Sequence, residues 1–150
     1  MVRLGIGLYG FCTGTKLSGK LQNVISLKTV ISQIKQVQAD ETVGYNRKGI
    51  LSRDSVIATI PIGYADGLDR RLSNGVGKFK INGNMVPVIG NICMDMCMLD
   101  ITDIEAKEGD EVIIFDSAEA ALALSNSIGT IPYEVLTGIS RRVKRVYYHE

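Results

Sequence analysis

Short runs of apolar and β-branched residues, separated by polar turn residues, are the main pattern of this chain. Strands are predicted at residues 56–64, 77–83, 85–90, 93–101, 110–116 and 141–149. Asn82-Gly83 lies between two of these runs and predicts a tight β-hairpin. Many short strands at this spacing predict a mainly β domain, either a small barrel or a sandwich.

Two short helices and one ambiguous segment complete the predicted elements. Residues 117–129 begin with Ser117, a good N-cap, and continue with an alanine-rich body, so they predict a helix. A second helix is predicted for residues 132–140, where Pro132 suits the first turn. Residues 24–45 alternate apolar and polar side chains in a way that fits a strand at least as well as a helix, and a strand is favoured.

The first ten residues have a different pattern. The stretch VRLGIGLYG, residues 2–10, is apolar with spaced glycines, which is typical of a strand buried on both faces in a parallel sheet. No helix–strand alternation surrounds it. We therefore interpret residues 1–10 as the last strand of another domain and residues 11–150 as the β domain.

Length, charge and hydropathy exclude several classes of partner. The 150 residues suit one domain with a real core. Lysine plus arginine (17) nearly balances aspartate plus glutamate (16), which gives no electrostatic case for binding nucleic acid or an anionic membrane. No apolar run reaches the roughly 20 residues that span a bilayer, and no signal peptide is recognisable. We expect a cytoplasmic protein that binds a small molecule or a protein.

Sulfur is concentrated in the stretch NICMDMCMLD, residues 91–100, where two cysteines and three methionines suggest either a soft metal site or apolar packing. A closed zinc site needs four ligands, usually from two paired motifs. Here Cys93 and Cys97 form a single C-x3-C, Cys12 is isolated, and the lone histidine is His149. Packing is therefore favoured, and no metal is expected.

Three other local motifs are weak when each is taken alone. In IPIGYADG, residues 60–67, the local pattern favours a turn with an aromatic anchor, and in ETVGYNRKG, residues 41–49, it favours a surface tyrosine. RLGIG, residues 3–7, lacks the full dinucleotide-binding spacing, although its amides could hold one phosphate. The basic run RRVKR, residues 141–145, fits a solvated edge strand.

The order of these motifs is much more specific than any one of them. VRLGIGLYG, VGYN, IPIGYADG, GNICMDM and IPYEVLTGISRRV together resemble the C-terminal part of bacterial alanine racemases, over essentially the whole chain. These fold-type III enzymes use pyridoxal 5′-phosphate. They have an eight-stranded α/β barrel followed by a mostly β domain, so the resemblance implies that residues 1–10 are the last barrel strand and residues 11–150 the β domain.

The resemblance also implies cofactor contacts. Arg3 matches the arginine that hydrogen-bonds the pyridine nitrogen. Gly5 and Ile6 match backbone positions at the cofactor phosphate, which Tyr133 also reaches. The lysine that forms the Schiff base lies in the family's barrel, and no AVKANAYG-like stretch occurs in this sequence. The chain alone is therefore expected to be inactive.

Substrate contacts follow in the same way. Tyr45 matches the catalytic tyrosine, which exchanges the α-proton on the L-alanine face, while the lysine serves the D face. Tyr64, Met94 and Asp95 match substrate-side positions, and the backbone amide of Met94 points toward the substrate carboxylate. In the family this tyrosine acts across a head-to-tail homodimer and the product D-alanine serves peptidoglycan synthesis. Some bacteria fuse the racemase behind a cell-wall ligase.

Positions at the substrate entrance differ from the commoner family pattern. Arg70, Asn91 and Ile131 match the entrance, and Asn91 stands where many relatives carry arginine. VGYN replaces VSYG or VGYG, and Asn46 is a residue that tolerates a left-handed conformation. Alanine is the expected substrate. The alternative is a stand-alone β-barrel binding or interaction module that borrowed this fold.

Overall fold

The computed structural model describes residue 1, residues 5–11 and residues 20–148. Within these residues the strands are β1 (Leu27–Val30), β2 (Gln33–Val37), β3 (Thr42–Val43), β4 (Gly49–Ile50), β5 (Ser55–Ile60), β6 (Lys78–Ile81), β7 (Asn84–Ile89), β8 (Cys97–Asp100) and β9 (Glu111–Phe115), and the helices are α1 (Ala118–Ser127) and α2 (Pro132–Gly138). Four 3-10 turns lie at Ile6–Tyr9, Tyr45–Arg47, Tyr64–Asp66 and Arg70–Leu72. None of the helices described is long and apolar enough to cross a membrane.

Seven of the strands form one antiparallel sheet in the order β1-β9-β6-β7-β8-β5-β2, and β3 pairs with β4 separately. The edge strands β1 and β2 are separated in sequence by Ile31 and Ser32 alone. The Ile31 amide donates to Asp110 O (3.0 Å) on one side, and the Ser32 amide donates to Thr59 O (2.9 Å) on the other. Because one continuous segment forms both edges, the sheet must curl, and the predicted mainly β, barrel-like fold is confirmed.

The inside of the curled sheet holds the core. Its largest fully buried side chains include Phe79, Phe115, Ile60, Ile81 and Leu99. Each such side chain contributes about 1.5–3 kcal/mol by leaving water. The core therefore holds β5, β6, β8 and β9 in place, and the loops between them have a fixed base.

The local signals for turns and helices are also confirmed. Asn82 and Gly83 both have positive φ (47° and 84°), as a two-residue hairpin turn between β6 and β7 requires. Ser117 Oγ accepts a hydrogen bond from the Ala120 amide at 3.0 Å and caps α1. Pro132 is the first residue of α2.

Four strand predictions differ from the structure by more than two residues. The run 56–64 ends as a strand at Ile60, and Tyr64 begins a 3-10 turn. The segment 24–45 is split into β1, β2 and β3, and 93–96 form a loop before β8 begins. Residues 141–148 form no strand. There the Arg145 guanidinium donates to Ile139 O, Ser140 O and Val143 O at 2.9–3.0 Å, so carbonyls at the start of this segment are satisfied locally rather than by a neighbouring strand.

The prediction of a strand over residues 1–10 is also wrong where the structure describes them. Ile6–Tyr9 form a 3-10 turn that ends at Gly10, whose left-handed φ of 84° and amide bond to Gly7 O (3.1 Å) close the turn. A buried parallel strand needs partners on both sides, and the sheet described above offers this segment none. The division of the chain at residue 10 into two domains stays a prediction.

Candidate functional site

Two loops meet at one end of the sheet: Gly63–Gly67, here called the tyrosine loop, and Asn91–Met96, called the methionine loop. The Tyr64 amide donates to Cys93 O and the Ala65 amide to Met94 O, both at 3.0 Å. The approach is so close that a Cβ on Gly63 would lie 2.3 Å from Met94 O. The missing side chain of Gly63 therefore allows the two loops to dock through their backbones.

A salt-bridge network of three side chains reinforces this docking. Asp66, 9% exposed, accepts the Gly63 amide at Oδ2 (2.8 Å) and Arg142 Nε at Oδ1 (2.7 Å). Arg142 Nη2 also donates to Asp95 Oδ1 at 2.5 Å. Burial alone would raise the pKa of Asp66, but the hydrogen bonds from Arg142 and Gly63 outweigh it and hold that pKa below its ordinary value. Asp66 therefore stays ionised at neutral pH.

Tyr45 lies on a short turn whose backbone needs unusual conformations. Gly44 has φ 79°, and Asn46 and Arg47 have φ 58° and 54°, so Asn46 adopts the left-handed conformation that asparagine tolerates. Asn91 Nδ2 donates to Tyr45 O at 3.3 Å. The Tyr45 side chain itself is 73% exposed, so the turn presents the phenol to the surface.

A cavity of about 410 Å³ brings Tyr45 together with the methionine loop. Its lining is Gly44, Tyr45, Cys93, Met94, Asp95, Met96 and Met98. Tyr45, Met94 and Asp95, three of the residues singled out from the sequence, are therefore neighbours in space. Because Tyr45 and Met94 are largely exposed, this part of the site lies on the domain surface.

Tyr64 and Arg70 line a different cavity, of about 330 Å³, between the tyrosine loop and the two helices. Arg70 Cζ lies 6.0 Å from the centre of the Tyr64 ring, at the limit of a cation–π contact. Ile131 is exposed at the start of α2 and lines neither cavity. Asn91 lies behind Tyr45 and is linked to Asn74 by a 3.1 Å amide hydrogen bond. The structure thus separates the predicted site residues into groups.

A third group forms around Gly5, Ile6 and Tyr133. The Ile6 amide donates to Tyr133 Oη at 2.6 Å, although the two residues are 127 positions apart. A Cβ on Gly5 would lie 2.6 Å from the same oxygen. A main-chain N–H and a phenol O–H are donors that a phosphate accepts, and here they lie beside a residue without a side chain, so these residue types fit a phosphate group. The Ile6 amide is bound to Tyr133 Oη in this structure, so a phosphate would have to replace that bond. Arg3 lies outside the described residues.

The sulfur atoms of residues 91–100 divide between core and cavity. Cys97 is fully buried, and burial raises the pKa of its thiol to about 12. Met98 packs with Val43, Leu51 and Ile57, whereas Met94 and Met96 are exposed in the cavity. In the part of the chain that the structure describes, no three histidine, cysteine or acidic side chains are grouped to hold a metal ion.

Sequence reasoning missed Arg142 and Asp66. The basic run around Arg142 predicts an edge strand, and the residues around Asp66 predict a turn. The signal that could have identified them was a single acidic residue inside a glycine-rich loop, which needs a partner when buried.

These features define a class: a mainly β domain with a surface cavity between the turn at Tyr45 and the methionine loop. Residues 24–147 match the family described as alanine racemase, C-terminal domain, and the chain belongs to that family. It is 44% identical over 157 residues to alanine racemase 1 of Caldanaerobacter subterraneus, covering 100% of this chain and 40% of the relative. It is 46% identical to alanine racemase 1 of Clostridium acetobutylicum, covering 97% and 39%.

Comparison with solved structures also finds alanine racemases. The fold matches alanine racemase from Bartonella henselae with covalently bound pyridoxal phosphate at a TM-score of 0.89 and 37% identity, covering 96% of this chain and 40% of that one. It matches alanine racemase from Streptomyces coelicolor at 0.90 and 31% identity, covering 99% and 41%. The chain thus spans about two fifths of the length of these relatives.

Proposed function

We propose that this chain contributes one proton-transfer residue, part of the substrate pocket and part of the cofactor-phosphate site to an alanine racemase. The observation that carries the proposal is the surface cavity that Tyr45 shares with Met94 and Asp95. Family membership and the relatives' names support alanine as the substrate. A relative solved with bound L-Ala-P, the alanine racemase of Bacillus anthracis, points the same way.

Racemisation needs a proton donor and a proton acceptor on opposite faces of Cα. Tyr45 Oη is the group that exchanges the proton on the L-alanine side. The group for the D side is the family's Schiff-base lysine, which this chain lacks, so the chain alone is expected to be inactive.

The methionine loop orients the substrate. The backbone amide of Met94 binds the alanine carboxylate, and the hydrogen bonds from the tyrosine loop keep that loop in position before substrate arrives. Asp95 adds a carboxylate at the rim whose charge is balanced by Arg142. Tyr64 and Arg70 border the approach from the second cavity. The resemblance alone assigns Asn91 and Ile131 to the same entrance.

Pyridoxal 5′-phosphate, when bound, withdraws electrons from the substrate Cα and so acidifies its hydrogen. Gly5, Ile6 and Tyr133 would hold its phosphate, since the Ile6 amide and the Tyr133 hydroxyl lie together beside a glycine and each can donate to a phosphate oxygen. Arg3 is assigned to its pyridine nitrogen by the resemblance alone. An arginine donates there without giving up its proton, which would leave the ring nitrogen unprotonated.

The exposure of Tyr45 supports a site that is completed by a second subunit. A head-to-tail homodimer would cover the phenol and supply the opposite face of the substrate. The cytoplasmic location, the supply of D-alanine to peptidoglycan and a fused cell-wall ligase belong to the same proposal and rest on the resemblance.

The test is reconstitution. This chain is mixed with the part of the Clostridium acetobutylicum relative that it does not cover, and conversion of L- to D-alanine is measured with pyridoxal phosphate present. Activity is expected in the mixture and in neither part alone. A complex that forms on gel filtration without activity would favour a binding module instead.

Tyr45→Phe then tests the assigned role. Net conversion should be lost in both directions, while exchange of the D-alanine α-hydrogen with deuterated water continues, because the other face keeps its base. Tyr147→Phe is the matched control, since Tyr147 is exposed and lines neither cavity. Equal loss of exchange from both enantiomers in Tyr45→Phe would contradict a role on one face.

A further inference from the structure

We propose that Arg142 is a positioning residue that sets the spacing of the tyrosine and methionine loops and thereby the aim of the Met94 amide. The expected effect of Arg142 on kinetics rests on the proposed function, whereas its expected effect on the spacing of the two loops does not. Nothing in the family resemblance assigned Arg142 a role, and the sequence placed it on an edge strand.

The contacts of Arg142 reach two carboxylates on two different loops. Its Nε donates to Asp66 Oδ1 at 2.7 Å, and its Nη2 donates to Asp95 Oδ1 at 2.5 Å. A planar guanidinium holds its N–H groups at fixed angles, so two such bonds fix the separation of the carboxylates. Lysine has one ammonium and cannot do this with the same geometry.

Each carboxylate transmits that constraint to its own loop. Asp66 also accepts the Gly63 amide at 2.8 Å, so the side chain that binds Arg142 fixes the first residue of the tyrosine loop. The backbone of Asp66 accepts the Ser140 amide at 3.0 Å, which ties the segment carrying Arg142 to the same loop. Asp95 directly follows Met94 in the methionine loop.

The two carboxylates that Arg142 binds differ in their exposure to water. Asp66 is nearly buried, so the loss of its guanidinium partner would leave a charge with little water to replace it. Asp95 is exposed and can be solvated when it is released. We therefore expect the tyrosine loop to depend on Arg142 more strongly than the methionine loop does.

The test compares Arg142→Gln and Arg142→Lys with Arg141→Gln, a change at the preceding exposed arginine that the described residues hold in no ion pair. Backbone amide hydrogen exchange is measured on the chain itself by mass spectrometry. In Arg142→Gln the amides of Gly63, Tyr64 and Ala65 should exchange about tenfold faster, as expected for a lost charged hydrogen bond. Arg142→Lys should give a smaller acceleration, and Arg141→Gln should give none.

The Asp95→Asn variant weakens the Arg142–Asp95 contact and leaves the Arg142–Asp66 contact in place. It should loosen the methionine loop and leave the Gly63 amide protected through Asp66. Unchanged exchange in both loops of Arg142→Gln would overturn the proposal, and so would uniform acceleration across β5, β8 and β9, because that indicates loss of global stability alone.

Kinetics test the consequence for the site. In the reconstituted racemase Arg142→Gln should raise KM for alanine about tenfold and change kcat by less than about threefold, because a misaimed amide weakens carboxylate binding. A lower kcat with unchanged KM would overturn this step. If the unsubstituted mixture forms a complex without activity, the proposed function fails, while the exchange data still decide the role of Arg142 in the loops.

Discussion

Gly63 is a position where one added methyl group should have a large effect. A Cβ there would lie 2.3 Å from Met94 O, 2.4 Å from Cys93 O and 2.5 Å from Met94 C. All three atoms belong to backbone, which cannot rotate away as a side-chain end can. The φ of Gly63 is −143°, which any residue adopts, so Gly63→Ala tests packing and not backbone conformation.

The cost follows from the two ways in which the structure can respond. If the loops stay together, overpacking costs about 1–3 kcal/mol. If they separate, the hydrogen bonds from the Tyr64 and Ala65 amides are lost, at about 1 kcal/mol each. Either response therefore falls within a loss of about 1–3 kcal/mol in the free energy of unfolding. For an m-value of about 2 kcal/mol per molar urea, the midpoint falls by about 0.5–1.5 M.

Urea denaturation followed by circular dichroism measures this change. Gly138→Ala is the matched control, because a Cβ at Gly138 meets nothing within 4 Å and alanine suits the last turn of α2. The control should be at least as stable as the original chain. A Gly63→Ala midpoint equal to that of the control would refute the argument that the tyrosine and methionine loops dock through this glycine.

Two further predictions concern titratable groups. The lowered pKa of Asp66 contributes stability that is present above the unfolded-state value of about 3.9 and is lost as the pH falls through the folded value, so the stability advantage over Asp66→Asn should shrink below about pH 4. A constant advantage in urea titrations across that range would contradict this. Cys97, with its pKa raised to about 12, should resist iodoacetamide at pH 8 in the folded chain and react in urea, as peptide mass mapping would show. Rapid labelling of folded Cys97 would argue against its burial.

Local chemistry was enough to predict the elements whose signals lie within a few residues. The hairpin at Asn82-Gly83 follows from residues that accept positive φ, and α1 follows from the Ser117 cap. The mainly β fold follows from the many short apolar runs, and the ordered motifs indicated the family. These signals do not indicate which strands pair with one another. The break between β1 and β2 at Ile31, where the chain passes from one edge of the sheet to the other, is therefore not predictable from alternation alone.

The residues of the candidate site show the same limit, because local sequence does not identify partners that are distant along the chain. Tyr45, Met94 and Asp95 were singled out through motif order, and the structure brings them to one cavity. Arg142 was missed because its partners lie 76 and 47 positions away, and a basic run is equally compatible with a solvated strand.

The methionine loop explains why alternation misled there. Residues 93–96 have the pattern of a strand, but the carbonyls of Cys93 and Met94 are bound by the tyrosine loop, and the Cys93 amide bonds to Met96 O at 2.9 Å. Polar backbone groups that are satisfied in this way gain nothing from joining the sheet. Gly63, thirty positions earlier, permits that arrangement, so a residue outside the segment decides whether the segment becomes a strand or a loop at the candidate site.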